Sequence, residues 1–239
     1  MLTKFLKGWL LIALITMSTI FCGCKENNYN TLGNVVILGD SYSTFEGHIP
    51  SSYDSYYKQG ITYNNVTDVK YTWWYKVIKR SNSTLLLNDS YSGTTICHTG
   101  YHGYDVKNIS FVGRFNNLKE QNYFEQNNVN TLIICGGLND VWAGSPLGEV
   151  KYDNISESDL YALYPAFSYL LKNAIEQNIT VYFLIEELLS EEVKEKLIEI
   201  CSHYSVPYLK LTDISQQGGH PDREGMEKTA TDFLNTFCK

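Results

Sequence analysis

Four residues in this chain are of types that acyl-transfer chemistry can use: Ser41, Gly93, Asn139 and His220. Each lies just beyond a different apolar run. Ser41 closes Asn34-Val35-Val36-Ile37-Leu38-Gly39-Asp40-Ser41, a β-branched segment that stops at a glycine. A hydroxyl there sits at the C-terminal end of a buried strand, where open α/β sheets place their ligands. Ester hydrolysis needs a nucleophile, a base to take its proton, and donors aimed at the developing oxyanion. Ser41 can be the nucleophile, and its own N–H one donor. Gly93, in Asn88-Asp89-Ser90-Tyr91-Ser92-Gly93, can bring the backbone close and present a second N–H. The Asn139 amide, in Gly136-Gly137-Leu138-Asn139-Asp140, can be the third donor. His220, in Gly218-Gly219-His220-Pro221, can be the base. Taken singly, such residues are ordinary turn formers. Their convergence at one sheet edge carries the reading.

That convergence requires particular elements. Strands are expected at 35–38, 84–87, 131–135, 180–185 and 207–211, with helical patterns at 71–80, 160–177, 190–204 and 222–237. Ser190-Glu191-Glu192-Val193 reads as a helix N-cap with an acidic first turn. Strands alternating with helices predict a parallel sheet covered on both faces. Five of them predict a flavodoxin-like three-layer α/β/α sandwich. Residues 42–70, rich in Tyr, Ser, Gly and Asn, and residues 94–125 fit neither pattern. As long loops over the sheet edge, they are expected to wall a substrate cleft.

At 239 residues, 44% hydrophobic, the chain has room for one sizeable domain, expected at 34–239. Before it, Lys4 and Lys7 precede an apolar run over 8–21, too short for a comfortable membrane span. The run ends in Phe21-Cys22-Gly23-Cys24 and a polar stretch. Residues 1–23 resemble a bacterial lipoprotein signal with Cys24 as the lipidated residue, and 24–33 read as a polar tether. Export and a lipid anchor are the expectation, with an ordinary secretory signal the alternative. Losing Lys4 and Lys7 takes the formal charge from −7 to −9, which argues against nucleic acid and against adsorption to anionic lipid. Cys97, Cys135, Cys201 and Cys238 match no metal or disulfide framework; Cys135 belongs to a core strand, and a pair among the others is left open. With 19 Tyr and 4 Trp, aromatics serve packing first and flat hydroxylated ligands such as sugars second.

The blocks Gly39-Asp40-Ser41-Tyr42-Ser43, Ser92-Gly93, Gly137-Leu138-Asn139-Asp140 and Gly219-His220-Pro221 occur in an order that resembles the SGNH, or GDSL-type, esterase/acylhydrolase family across nearly all of the chain beyond the leader. Together with Thr72-Trp73-Trp74-Tyr75, they look like a subgroup common among exported Bacteroidetes lipoproteins. The resemblance implies Ser41 as nucleophile, His220 as base and Gly93 with Asn139 in the oxyanion hole, with no metal or organic cofactor. The expected substrate is an acyl ester, with acylated carbohydrate favoured over lipid because both long loops are polar. A non-catalytic carbohydrate-binding protein on the same scaffold is the other alternative. The Gly-x-Ser-x-Gly elbow of the α/β-hydrolases is absent.

One position departs from the family. An aspartate usually stands three residues before the catalytic histidine to orient its ring; here it is Gln217. Either Asp213 or a backbone carbonyl near Gln216 orients the ring, or the site is weakened and the protein mainly binds. The carbonyl is favoured, because Asp213 is seven residues away and placed to cap a turn. Trp142 and His102 are candidate substrate contacts. Cys97, His98 and His102 lack a fourth ligand and are not taken as a metal site. Asp40 and Asp140 are expected to brace the loops of Ser41 and Asn139, and Trp73 and Trp74 to pack in the core.

Overall fold

The computed structural model describes residues 29–239. The leader over 1–23, the lipidation site at Cys24 and the first part of the tether lie outside the described residues. The end of the expected tether is not a free linker. Leu32 is buried in the core, and the Asn30 N–H donates to the Cys238 carbonyl at 2.6 Å. The polar residues around Leu32 hide this anchor from a composition-based reading.

The chain runs β1 (Asn34–Gly39), α1 (Trp73–Arg80), β2 (Thr84–Ser90), α2 (Phe111–Glu120), α3 (Tyr123–Gln126), β3 (Thr131–Cys135), α4 (Leu138–Trp142), α5 (Leu163–Ile175), β4 (Thr180–Ile185), α6 (Glu191–His203), β5 (Tyr208–Lys210), β6 (Gln216–Gln217), β7 (His220–Pro221) and α7 (Arg223–Phe237). Five parallel strands form one sheet in the order β2-β1-β3-β4-β5. Val35 to Leu38 in β1 and all of β3 are buried, as continuous apolar strands covered on both faces must be. Helix α1 packs on α7, while α5 packs on α2 and α6, so the helices form two layers around the sheet. The order is that of a flavodoxin-like sheet, and its direction reverses at β1 and β3. Gly39 stands level with Ser90 of β2 and Cys135 of β3. The loops that carry Ser41, Gly93 and Asn139 therefore leave the sheet at the same height.

Two stretches differ from the sequence reading. Strand β2 continues three residues past Leu87, through Asn88, Asp89 and Ser90. These polar side chains are tolerated inside because they are paired: Asn88 Nδ2 donates to the Ser43 carbonyl at 2.8 Å, and Ser90 Oγ to Asn88 Oδ1 at 2.6 Å. Residues 94–125 are not one irregular loop. Their second half is α2, capped by Ser110, whose Oγ accepts from the Gly113 N–H at 3.1 Å. Phe111, Phe115 and Leu118 recur at helical spacing and are buried; the charge of Arg114 among them breaks the apolar stripe.

Candidate active site

Directly after β1, Ser41 opens a short 3-10 turn, Ser41–Ser43. Asp40 caps that turn, its Oδ1 accepting from the Tyr42 N–H at 3.0 Å. The first N–H of such a turn has no acceptor within it. Among the described residues the Ser41 N–H has no hydrogen-bond partner, and neither does the Gly93 N–H. Gly93 has φ +77°, with nothing within 4 Å of where a Cβ would stand. Its glycine is required by the left-handed backbone.

Asn139 lies in α4, just past β3, and three groups fix it. Its Nδ2 donates to Asp40 Oδ2 at 3.0 Å, and its Oδ1 accepts from the Tyr101 hydroxyl at 2.8 Å. The preceding residue, Leu138, donates its N–H to Glu186 Oε2 at 2.9 Å. One hydrogen of the Asn139 amide remains for a ligand, beside the serine turn.

His220 sits on a two-stranded antiparallel hairpin, β6-β7, in which Gln217 pairs with His220. Gly218 and Gly219 connect them with φ of +65° and +74°, the positive pair that a type I′ turn requires. The ring points at the serine: His220 Nε2 lies 2.9 Å from Ser41 Oγ. Its Nδ1 lies 3.3 Å from the Gly218 carbonyl. A carbonyl can only accept, so Nδ1 carries the proton and Nε2 keeps the lone pair facing the hydroxyl. Burial pushes the imidazole below its ordinary value of 6.5, which keeps it neutral at neutral pH. A neutral base against a hydroxyl, with two free N–H groups and an amide nearby, is the constellation that acyl transfer needs.

Asp213 is not the group that orients His220. It lies exposed, and its backbone N–H is held by Glu187 Oε1 at 2.7 Å. The Gly218 carbonyl fills the place at Nδ1 that a carboxylate would take. Asp213→Asn should therefore leave kcat near wild type, whereas losing a true triad aspartate costs about 10⁴. Steady-state kinetics on a p-nitrophenyl ester decides it; a drop approaching that size would return Asp213 to the site.

Residues 42–70 act chiefly as a brace around the histidine hairpin, more than as a cleft wall. The Tyr56 hydroxyl donates to the Gly218 carbonyl at 3.1 Å, Tyr57 to that of Pro221 at 2.7 Å, and Asn64 Nδ2 to that of Gln217 at 2.9 Å. The Tyr56 ring lies flat on the imidazole, centroids 3.4 Å apart and planes 10° from parallel. Of the candidate substrate contacts, Trp142 is exposed at the end of α4, and His102 is exposed with its ring 5.9 Å from that of Tyr104. Neither meets Ser41 or His220 directly. Cys97 turns its sulfur to the Thr99 carbonyl and His98 its Nδ1 to Ser110, away from His102. All four described cysteines are free and buried.

Two buried charged residues, Arg114 and Glu186, escaped the sequence reading of the site. Arg114 reaches from α2 under the sheet edge. It donates to the Gly39 carbonyl and to Thr94 Oγ1, both at 3.1 Å, and also to the Asp89 carbonyl. One guanidinium thus ties the tips of β1 and β2 to the Gly93 loop, stacked against Phe111. Glu186, directly after β4, is fully buried and faces Asp40. Burial holds both carboxyls above their usual range, Asp40 at about 7 and Glu186 well above its ordinary 4.5. Oε1 of Glu186 has no hydrogen-bond partner among the described residues, while Oε2 accepts from the Leu138 N–H. Asp140 receives the Ile96 and Cys97 N–H groups at 2.8 and 3.0 Å, bracing the loop after Gly93. The Glu186-Glu187 pair ending an apolar strand at the catalytic edge was the one available signal for Glu186.

Fold and site together define a flavodoxin-like serine hydrolase. The comparisons narrow this further: the family model described as GDSL-like lipase/acylhydrolase matches residues 33–237, and the chain belongs to that family. A solved structure from Bacteroides ovatus ATCC 8483, described as a GDSL-like lipase, is 39% identical with a TM-score of 0.78, covering 87% of this chain and 98% of its own. Its counterpart from Bacteroides uniformis ATCC 8492 is also 39% identical with a TM-score of 0.78, covering 86% and 95%. A family two carbohydrate esterase from Clostridium thermocellum shares the fold at 12% identity and a TM-score of 0.57, over 87% of this chain and 63% of its own. No curated protein matches the chain. The protein is a serine ester hydrolase.

Proposed function

We propose that this esterase removes small acyl groups from carbohydrate, with Ser41 as nucleophile, His220 as general base and then general acid, and the Ser41 and Gly93 N–H groups with the Asn139 amide as oxyanion donors. His220 takes the Ser41 proton as Oγ attacks the ester carbonyl. It returns that proton to the leaving alcohol, and water then releases the acyl group from Ser41 by the same route in reverse. The observation that carries this is the 2.9 Å approach of Ser41 Oγ to a histidine whose other nitrogen is capped by a carbonyl.

The preference for sugar rests on the rim. Tyr63 packs on Tyr56 beside the histidine, Trp142 lies one helical turn past Asn139, and Tyr104 follows Tyr101, whose hydroxyl donates to Asn139; Tyr63, Tyr104 and Trp142 are exposed. Such faces suit the apolar face of a pyranose, and their polar edges suit its hydroxyls. An acyl chain of lipid length would need a continuous apolar lining, and the loops around the serine are built of Tyr, Ser, Asn and Gly. Export and a lipid anchor at Cys24 are part of the proposal, on the sequence of the leader.

A chain-length series of p-nitrophenyl esters, run beside acetylated oligosaccharides and a fluorophosphonate label, tests the reading. Ser41 should take the label, acetate should be cleaved faster than octanoate, and acetate should be released from the sugar. A preference for long chains would favour a lipase, and absence of both label and hydrolysis a binding protein. Cell fractionation of the intact chain against Cys24→Ala tests the anchor: the variant should leave the membrane fraction.

A further inference from the structure

We infer that Tyr56 is a positioning residue that does for His220 what an aspartate does elsewhere, through the face of its ring. The inference rests on the proposed Ser41–His220 pair.

Proton transfer from Ser41 turns the imidazole into an imidazolium. A carboxylate at Nδ1 would stabilise that charge, but among the described residues the group at Nδ1 is the neutral Gly218 carbonyl. The groups facing the ring are Ser41, Tyr42 on the serine turn, Tyr56 and Tyr57. Asp222, two residues on, turns its carboxylate to Ser215 and to the first N–H groups of α7. Among the described residues, none of the groups facing the ring is an ionised one that would balance the imidazolium.

Tyr56 meets the ring differently from its neighbours. Tyr42 and Tyr57 approach tilted or edge-on, with centroids 5.3 and 6.2 Å away. Tyr56 lies face to face at 3.4 Å. The negative face of a phenol attracts a cation placed over it, most strongly where water is excluded. The same residue also fixes the geometry, since its hydroxyl donates to the Gly218 carbonyl that accepts from Nδ1. A Cβ on Gly218 would come within 2.9 Å of that hydroxyl, so the hairpin turn and the tyrosine fit each other closely. One side chain thus locks the acceptor of Nδ1 and covers the ring that becomes charged.

The test separates the ring face from the hydroxyl. Tyr56→Phe keeps the face; Tyr56→Leu keeps apolar cover without it. The His220 pKa is read by NMR titration in a Ser41→Ala background, its signal assigned by absence in His220→Gln. This readout does not depend on turnover, so it stands even if Ser41 proves not to be the nucleophile. Tyr56→Leu should lower the His220 pKa by roughly 0.5–1 unit, and with Ser41 restored reduce kcat about 3–30-fold with little change in KM. The acid limb of the kcat/KM profile should move down with it. Tyr56→Phe should stay close to wild type in both. If Tyr56→Leu folds poorly, Tyr56→Met replaces it. An unchanged pKa in the Leu or Met variant would overturn the inference. So would equal damage from Phe and Leu, which would leave only the hydroxyl's bond to Gly218.

Discussion

Ser41→Ala is expected to abolish ester hydrolysis while the protein stays folded. In a serine hydrolase, removing the nucleophile alone costs on the order of 10⁶ in kcat, because the base and donors then have no attacking atom to serve. The fold should barely notice. The Ser41 hydroxyl has one side-chain partner, His220 Nε2, at the mouth of the site, so its loss costs about 1 kcal/mol or less. The turn itself is held by Asp40 and by the Thr44 hydroxyl bonded to the Ser41 carbonyl at 3.0 Å, neither of which needs the serine side chain. Turnover of p-nitrophenyl acetate and a thermal melt, measured on one preparation, check both halves. Activity retained in the folded variant would remove Ser41 from the mechanism; a collapsed melt would make the loss uninformative about catalysis.

Asn139→Ala should lower kcat by roughly 10²–10³, the usual cost of one oxyanion donor, with KM little changed. It should also destabilise the protein, and that pairing distinguishes it from Ser41→Ala. The amide is one of the donors held by the buried Asp40 carboxylate, and it is the acceptor of the Tyr101 hydroxyl. Leaving a buried carboxylate short of a partner costs about 1–3 kcal/mol. A change confined to KM would make Asn139 a substrate ligand instead. A loss of activity with an unchanged melt would mean that Asp40 does not depend on it.

The sheet was legible because β3 and β4 are uninterrupted apolar runs, with limits that coincide with the expected 131–135 and 180–185. The places of Ser41, Gly93, Asn139 and His220 followed from the ends of such runs, since parallel strands in register deliver their loops to one edge. What escaped depends on contacts between distant segments. Tyr56 reaches His220 across more than half the chain, and no spacing in residues 42–70 singles it out from Tyr53, Tyr57 or Tyr63. Arg114 looked like an interruption of a helix, although its charge is what joins the tips of β1 and β2 to the Gly93 loop. Asp213 was considered because carboxylates usually orient histidines; a two-residue turn supplied a carbonyl from within the hairpin, which no side-chain pattern announces.

The acids beneath the proposed oxyanion hole make the pH dependence of folding different from that of a surface carboxylate. Asp40 is raised from 3.8 to about 7 and Asp140 from 3.8 to about 6, chiefly because burial disfavours the charge. A group whose native value lies above its unfolded one adds most to stability while both states hold the proton. That contribution is fully present below about 3.8 and drains away as the pH climbs through about 6 and 7. The ionised Asp40, however, is the better acceptor for the Asn139 amide and the Tyr42 N–H. The protonation state that organises the donors is therefore not the one in which these residues favour the native fold most. The hole is set at its sharpest where its supports contribute least to holding the chain together.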